Sequence, residues 1–374
     1  MGGFPEDGSR PTLVQRGNHL KASPMHSSIA RCWRLGALLA TVGTASASAA
    51  DAQLHAEHRL ARLTCYTGYL KLESLHGLEG VRAAIRQAIA QNDQAALHFL
   101  EQRLSELIGK DAQVALQVVE WAHTAQEPEM SLYLRAVRET EAVRSPVVVD
   151  RLATMAETHQ DPGHQANALI ALETQHRFEP AMLERLTTLA KKDTLITGVA
   201  MHTVRSIGRV MDNDFQRTGR FDPYMGKLLE VALDSTEPSV RGLAIEMGTY
   251  PDARLDGTSQ QHLAKLHLED PDPDVREMAA LVLSSGRDTQ AVLETFGKSF
   301  PREKNECVRW AIVRYAVRAA GAQALPLLKE FAQQDARFRQ DYADFKALYD
   351  AGQVDFDRAF LGKAVHHNCE APEG

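Results

Sequence analysis

Three groups of side chains in this sequence have types and spacings that could do chemistry. The first is a row of arginines, Arg241, Arg276 and Arg309, separated by 35 and 33 residues. A guanidinium carries a permanent charge on a planar fork of donors. Such a row could face an acidic ligand, or each fork could lock onto a carboxylate of a neighbouring turn, such as Asp234, Asp270 or Asp272. Locking is the preferred reading. The second group is His202, Arg205 and Arg209, whose three- and four-residue spacing places them on one face of a helix. Facing a groove they would accept an anion; facing solvent they would be an ordinary charged edge. The third is His366, His367 and Cys369, three metal-binding side chains near the C-terminus. A closed site needs a fourth ligand, which the sequence does not identify.

Weaker signals follow. Asp212, Asn213, Asp214 and Asp222 could offer oxygens to calcium, but the ligand spacing and terminal Glu of a calcium loop are missing. Residues 211–221 are therefore expected to form a solvated loop. Of four cysteines, Cys32 lies within the leader proposed below, leaving Cys65, Cys307 and Cys369. An odd number allows one disulfide within the chain, and Cys307–Cys369 is the pairing considered. No phosphate-cradling Gly loop, Gly-x-Ser-x-Gly elbow, His-Glu-x-x-His or paired Cys-x-x-Cys occurs. The sequence thus assigns no catalytic residue and no cofactor, and an enzymatic role is the less favoured reading.

Composition narrows the class of scaffold. Hydrophobic residues make up 44% of 374, enough for a folded core, but aromatics only 6%. Helices packed through Ala and Leu suit that balance better than a β-sandwich. The formal charge is −7, and removing residues 1–50, with five basic and two acidic side chains, leaves −10. A duplex-binding protein carries a basic surface, so nucleic acid is excluded as the expected partner.

The N-terminus has the order of an export signal. Arg31 and Arg34 precede an apolar run from Leu35 to Val42, followed by small residues and an Ala47-Ser48-Ala49 cleavage pattern. The run is too short for a permanent membrane span, and no later stretch is apolar enough, so the mature chain is expected to have none. A start at Met25 would give an ordinary leader over about 25–50, with residues 1–24 a mis-assigned start. The protein is expected to be exported, to the periplasm or beyond the cell.

The remaining chain reads as helices throughout. Residues 53–72, 79–91, 94–108, 112–125 and 129–140 are predicted helices, separated at Gly77, Asn92-Asp93, Gly109 and Glu127-Pro128. Leu97, Leu100, Leu104 and Leu107 form the expected buried stripe of one of them. From residue 145 the pattern repeats. Ser145-Pro146, Glu179-Pro180 and Asp222-Pro223 open helices, each with a leucine six residues after the proline (Leu152, Leu186, Leu229). Marking one position of the second helix gives His164, Ile196, Val240, Val275 and Val308, with Ala168, Ala200, Ala244, Ala279 and Ile312 four residues on. The best unit runs Asp272-Pro273-Asp274-Val275-Arg276, then Ala279, to Leu283. Paired helices at such a period are the signature of stacked repeats.

The Asp/Pro turn and Val-Arg-x-x-Ala helix resemble the HEAT and HEAT-like (phycobilisome-lyase-type) repeats, over residues 145 to about 335. Gln165 and Thr197 replace the arginine in the first two units. The resemblance implies an all-α fold, an α-solenoid of stacked antiparallel helix pairs. It also implies a right-handed superhelix whose second helices line a concave surface, and binding rather than catalysis. The expected organisation is a leader over 1–50, a helical region of degenerate repeats or cap over 51–144, HEAT-like repeats over 145–335, and a C-terminal helical cap with a flexible tail over 336–374. The leading functional reading is an exported scaffold that presents its groove to a protein or peptide partner. Alternatives are an enzyme or cofactor-lyase-like protein on the same array, or a metal-responsive periplasmic protein.

Overall fold

Apolar side chains recurring every three to four residues, with Asp, Asn or Pro at the breaks, dictate short helices that each bury one stripe. The computed structural model describes residues 74–192, 195–219, 221, 223–248, 255–352 and 369. Among them the elements are α-helices and three single 3₁₀ turns, with one isolated parallel bridge between Leu255 and Gly286 and no strand. None of the described helices is long and apolar enough to cross a membrane. The predicted helix over 53–72 lies outside the described residues.

The chain divides into two units, residues 1–103 and 104–374. In the first, α1 (Leu78–Ala90) buries Val81, Ile85 and Ala88 at helical spacing. Asn92, at φ 52°, turns the chain into α2 (Gln94–Ile108), whose residues 104–108 belong to the second unit. The Arg103 Nε–H donates to the Leu75 carbonyl at 2.8 Å. The stripe of α2 ends differently from expectation: Leu97, Leu100 and Leu104 are buried, but the last buried position is Ile108, with Leu107 half-exposed.

The second unit is a row of helix pairs. These are α3 (Ala112–Thr124) with α4 (Glu129–Arg138), α5 (Pro146–Thr158) with α6 (Pro162–Leu172), and α7 (Pro180–Ala190) with α8 (Thr197–Thr218). There follow α9 (Tyr224–Asp234) with α10 (Pro238–Met247), and α11 (Gly257–Glu269) with α12 (Pro273–Leu283). The last are α13 (Thr289–Ser299) with α14 (Glu306–Ala320), and α15 (Leu325–Gln334) with α16 (Arg339–Asp350). First helices pack on first helices from α3 to α13, and second helices on second helices from α4 to α14. This is an all-α solenoid, in which no pair could bury its apolar stripe without its neighbours.

The second helices start alike for a local reason. Asp161, Asp272 and Asn305 each precede the first helical residue and accept the backbone N–H groups two and three residues on. That satisfies donors the helix itself leaves open. Pro162, Pro238 and Pro273 occupy the first position, where a missing N–H is harmless. Pro146 and Pro180 open first helices in the same way, whereas Pro223 stands one residue before α9.

Two expectations are corrected. Ile196 precedes α8 as its N-cap and is 56% exposed, so it cannot be the equivalent of Val240. The third residue of α8 is Val199, buried like His164, Val240, Val275 and Val308, and the intervals become 35, 41, 35 and 33. Residues 211–218 are not a solvated loop but the last two turns of α8, a helix of 22 residues. Ile207, Val210, Met211 and Asp214 continue one buried stripe into the insertion, so the helical phase never breaks. Gly219, at φ 71°, ends it in the left-handed conformation. Close approach of α8 to α10 depends on Gly208, where a Cβ would lie 2.7 Å from the Met247 sulfur.

Candidate functional site

Two sets of arginines on the second helices have opposite fates. In the repeat row, the Arg241 guanidinium donates both Nε–H and Nη2–H to Asp270, each at 2.8 Å. It also donates to the Ser235 and Thr236 carbonyls of the turn before it. Arg276 makes the same fork with Glu303 at 2.7 and 2.9 Å and donates to the Asp270 and Pro271 carbonyls. Arg309 donates to Asp335 at 2.8 Å and to the Glu303 carbonyl at 2.7 Å. Each arginine therefore joins its own turn to the carboxylate that opens the next interval. Those carboxylates are also held by backbone N–H groups, of Asp272 for Asp270, of Lys304 and Asn305 for Glu303, and of Arg337 for Asp335. The result is a ladder of charge-assisted bonds with the donors of each guanidinium turned inward.

The electrostatics follow the geometry. Burial pushes the Glu303 carboxyl up, but Arg276 and the Asn305 N–H outweigh it, and the group sits below its ordinary value. Arg337, and behind it Arg309, hold Asp335 down at about 2. Asp234, one of the acids expected to pair, instead meets Lys191, and Asp272 serves as an N-cap. A cleft of about 220 Å³ opens beside the Arg276–Glu303 pair, lined also by Leu268, Ser299, Arg302 and Lys304. Its deepest charges are already matched to each other.

The second set lies on α4 and α8, with α6 packed against both. His202, Arg205 and Arg209 form the one solvent-facing stripe of α8 in its first three turns, because α6, α7, α9 and α10 cover its other sides. Beside them, at the end of α6, is the half-buried Glu173, and across it Arg138 at the end of α4. Burial raises the Glu173 carboxyl above its usual range, against the opposing pull of Arg138, Arg209 and Arg205. No hydrogen bond or ion pair engages Arg138, Arg205 or Arg209 among the described residues. The Arg138 Nε and His202 Nδ1 atoms are buried without a hydrogen-bond partner. Burial, then the charge of Arg205, pushes the His202 imidazole down, which favours its neutral form. Three guanidinium charges thus surround one carboxyl that resists ionising.

The framework holding this face is itself bonded. Ser206 donates to the Leu169 carbonyl at 2.9 Å, and the Asn213 amide donates to the Glu173 and Gln175 carbonyls at 2.9 and 2.8 Å. Asn213 therefore fixes the end of α6 against α8, and Asp214 is buried beside Tyr224 and Arg177. These are structural uses of two residues weighed as calcium ligands; Asp222 lies outside the described residues. Among the described residues no group of three or more His, Cys, Asp or Glu is placed to hold a metal. His366 and His367 also lie outside them, as do Cys32 and Cys65. Cys369 is buried and joined by a disulfide to Cys307 at the start of α14, with Cα atoms 5.5 Å apart.

One cluster escaped the sequence reading. The His159 ring stacks on His164 at 3.9 Å between centroids, and His123 meets His159 edge-on at 4.9 Å. His159 Nδ1 accepts the Asp161 N–H at 3.0 Å, while its Nε2–H donates to the His123 carbonyl at 3.1 Å. His164 Nε2–H donates to the Ala125 carbonyl at 2.9 Å. The rings stitch the ends of α3 and α5 to the start of α6. Sequence spacings of 36 and 5 residues gave no sign of it.

Comparison with known proteins bears on the ladder. Residues 260–343 match the family model for HEAT repeats. The resemblance drawn from the Asp/Pro turn and the Val-Arg-x-x-Ala helix holds over that stretch, which contains two rungs of the ladder, at Arg276 and Arg309. No curated protein matches the chain. Among solved structures, one from "Computational Design of Self-Assembling Cyclic Protein Homooligomers" is 13% identical, with 82% of this chain and 99% of that one covered and a TM-score of 0.14. A likeness at that score carries no argument.

Proposed function

We propose that this HEAT-repeat chain is an exported, non-enzymatic binding scaffold whose row of second helices faces a protein or peptide partner. The observation that carries the proposal is the contrast between the two arginine sets. The repeated arginines spend their donors inside the array, whereas His202, Arg205 and Arg209 stand on a supported helix face with donors to spare. Side chains held on rigid helices can make polar contacts at small entropic cost. Arg241, Arg276 and Arg309 bind within the array rather than to a partner in this reading.

A photoreactive amino acid at position 205 or 209, and at Arg185 on a first helix as control, tests the proposal in intact secreting cells. A stoichiometric adduct from positions 205 and 209 is the expected result. Adducts from position 185 alone, or none from any position, would overturn it. Export is tested separately by N-terminal sequencing, where a mature terminus near residue 50 is expected. An intact residue 1 on a cytosolic product would remove that part of the proposal.

A further inference from the structure

We infer that the α4–α6–α8 face takes an extended acidic peptide segment, two of whose alternate carboxylates engage Arg205 and Arg209. The inference rests on the second-helix face being the binding face. Its first support is charge. The chain carries −7 overall, yet here the charges of Arg138, Arg205 and Arg209 all act on the Glu173 carboxyl, and among the described residues no hydrogen bond or ion pair engages the three arginines. A ligand that supplies carboxylates completes bonds that the fold leaves open on the exposed guanidinium groups of Arg205 and Arg209.

The second support is spacing. Four residues of α-helix advance about 6 Å along the axis, which separates Arg205 from Arg209. Two residues of extended chain advance about 6.8 Å, and alternate side chains share one face. An extended segment with acidic residues at alternate positions therefore matches the two guanidinium groups in register. Adjacent acidic residues would point to opposite faces and reach only one of them. The chain's overall charge of −7 favours a peptide over a nucleic acid, whose phosphate backbone calls for a broadly basic surface.

The third support is Glu173. Its half-buried carboxyl feels the charges of Arg138, Arg209 and Arg205, so when ionised it competes with an incoming carboxylate for them. It is a specificity residue acting through charge.

The test uses the full mature chain and two fluorescein-labelled peptides of equal composition, one with Glu and Ser alternating and one with the Glu residues contiguous. Fluorescence anisotropy at low salt should show the alternating peptide binding tighter by about threefold or more. The double variant Arg205→Glu with Arg209→Glu should weaken it by about tenfold or more. Glu173→Gln should tighten it by about two- to fivefold. Arg302→Glu with Lys304→Glu, remote exposed cations, should leave it unchanged. Equal affinity for both peptides, or equal weakening by the remote pair, would overturn the inference. Tighter binding of a single-stranded oligonucleotide of equal charge would also overturn it, in favour of a phosphate backbone. If both peptides fail while cross-linking from positions 205 and 209 persists, the acidic occupant is wrong and the binding face stands. If both experiments fail, the face itself is wrong.

Discussion

The Arg241–Arg276–Arg309 ladder and the Arg138–Arg205–Arg209 face use the same side chain for opposite ends. In the ladder, each guanidinium lies over a turn whose last residues expose carbonyls, and the next interval brings a carboxylate within 2.8 Å. The partner is supplied by the stacking itself, so the bond recurs wherever the stacking does. On the face, Arg205 and Arg209 are exposed, and the acid on which their charges act, half-buried Glu173, makes no hydrogen bond or ion pair with them among the described residues. A guanidinium surrounded by its own fold's acceptors is a clamp; one that the fold leaves unpaired is available to a ligand.

The largest expected effect that could break this comparison is in the ladder. Arg241 and Asp270 have side chains only 8% and 4% exposed. Removing one partner strands a buried charge, so Arg241→Ala should cost about 3–5 kcal/mol, read as the shift in a denaturant melt. Arg309→Ala, in a pair that is 20% and 11% exposed, should cost less. An unchanged Arg241→Ala melt would show that the ladder is no clamp, and the two sets of arginines would have to be ranked again.

A pH series sharpens the same point. His267 donates Nδ1–H to the Arg276 carbonyl at 3.0 Å, and burial pushes its imidazole down to about 4. The folded state then binds fewer protons than the unfolded chain, whose imidazole titrates near 6.5. Its contribution is full above about 6.5 and is lost as pH falls from there through about 4. Between pH 7.5 and 4.5 the loss should be about 2–3 kcal/mol. His267→Gln should flatten the urea midpoint over that range; a slope identical to the parent's would remove His267 from the account.

A smaller effect is expected at the caps that set each second helix. Asp272 accepts the N–H groups of Asp274 and Val275, so Asp272→Ala should cost about 1 kcal/mol in the same melt. The smallest belongs to the face. Arg205→Ala with Arg209→Ala should change stability by no more than about 0.5 kcal/mol, because the fold spends nothing on these side chains. A drop like that of Arg241→Ala would show that the face is structural too, and the contrast would collapse.

Much of this was readable in the residues. The Asp272-Pro273 turn, Val275 and Arg276 announce a capped second helix, and the recurrence of Arg241, Arg276 and Arg309 announces a repeated partner. Asp270 was among the acids foreseen, but Glu303 and Asp335 were not. They come from different places in their turns, 27 and 26 residues beyond their arginines, and short-range pattern does not measure that distance. The insertion misled for a related reason. Asp, Asn and Gly read as a loop, yet Met211 and Asp214 keep the helical phase, and buried Tyr224 gives Asp214 a partner.

The sequence alone determined local matters: that the chain is helical, where most helices start and stop, and that pairs of them must stack. Those follow from spacing, capping chemistry and apolar periodicity within about 40 residues of chain. Only the tertiary structure decided which arginines are spent. Whether a guanidinium has a partner depends on what neighbouring repeats bring within about 3 Å, and on how much water burial removes from Glu173. Identical side chains on similar helices became clamp or unpaired surface group through their surroundings, and surroundings are made by packing.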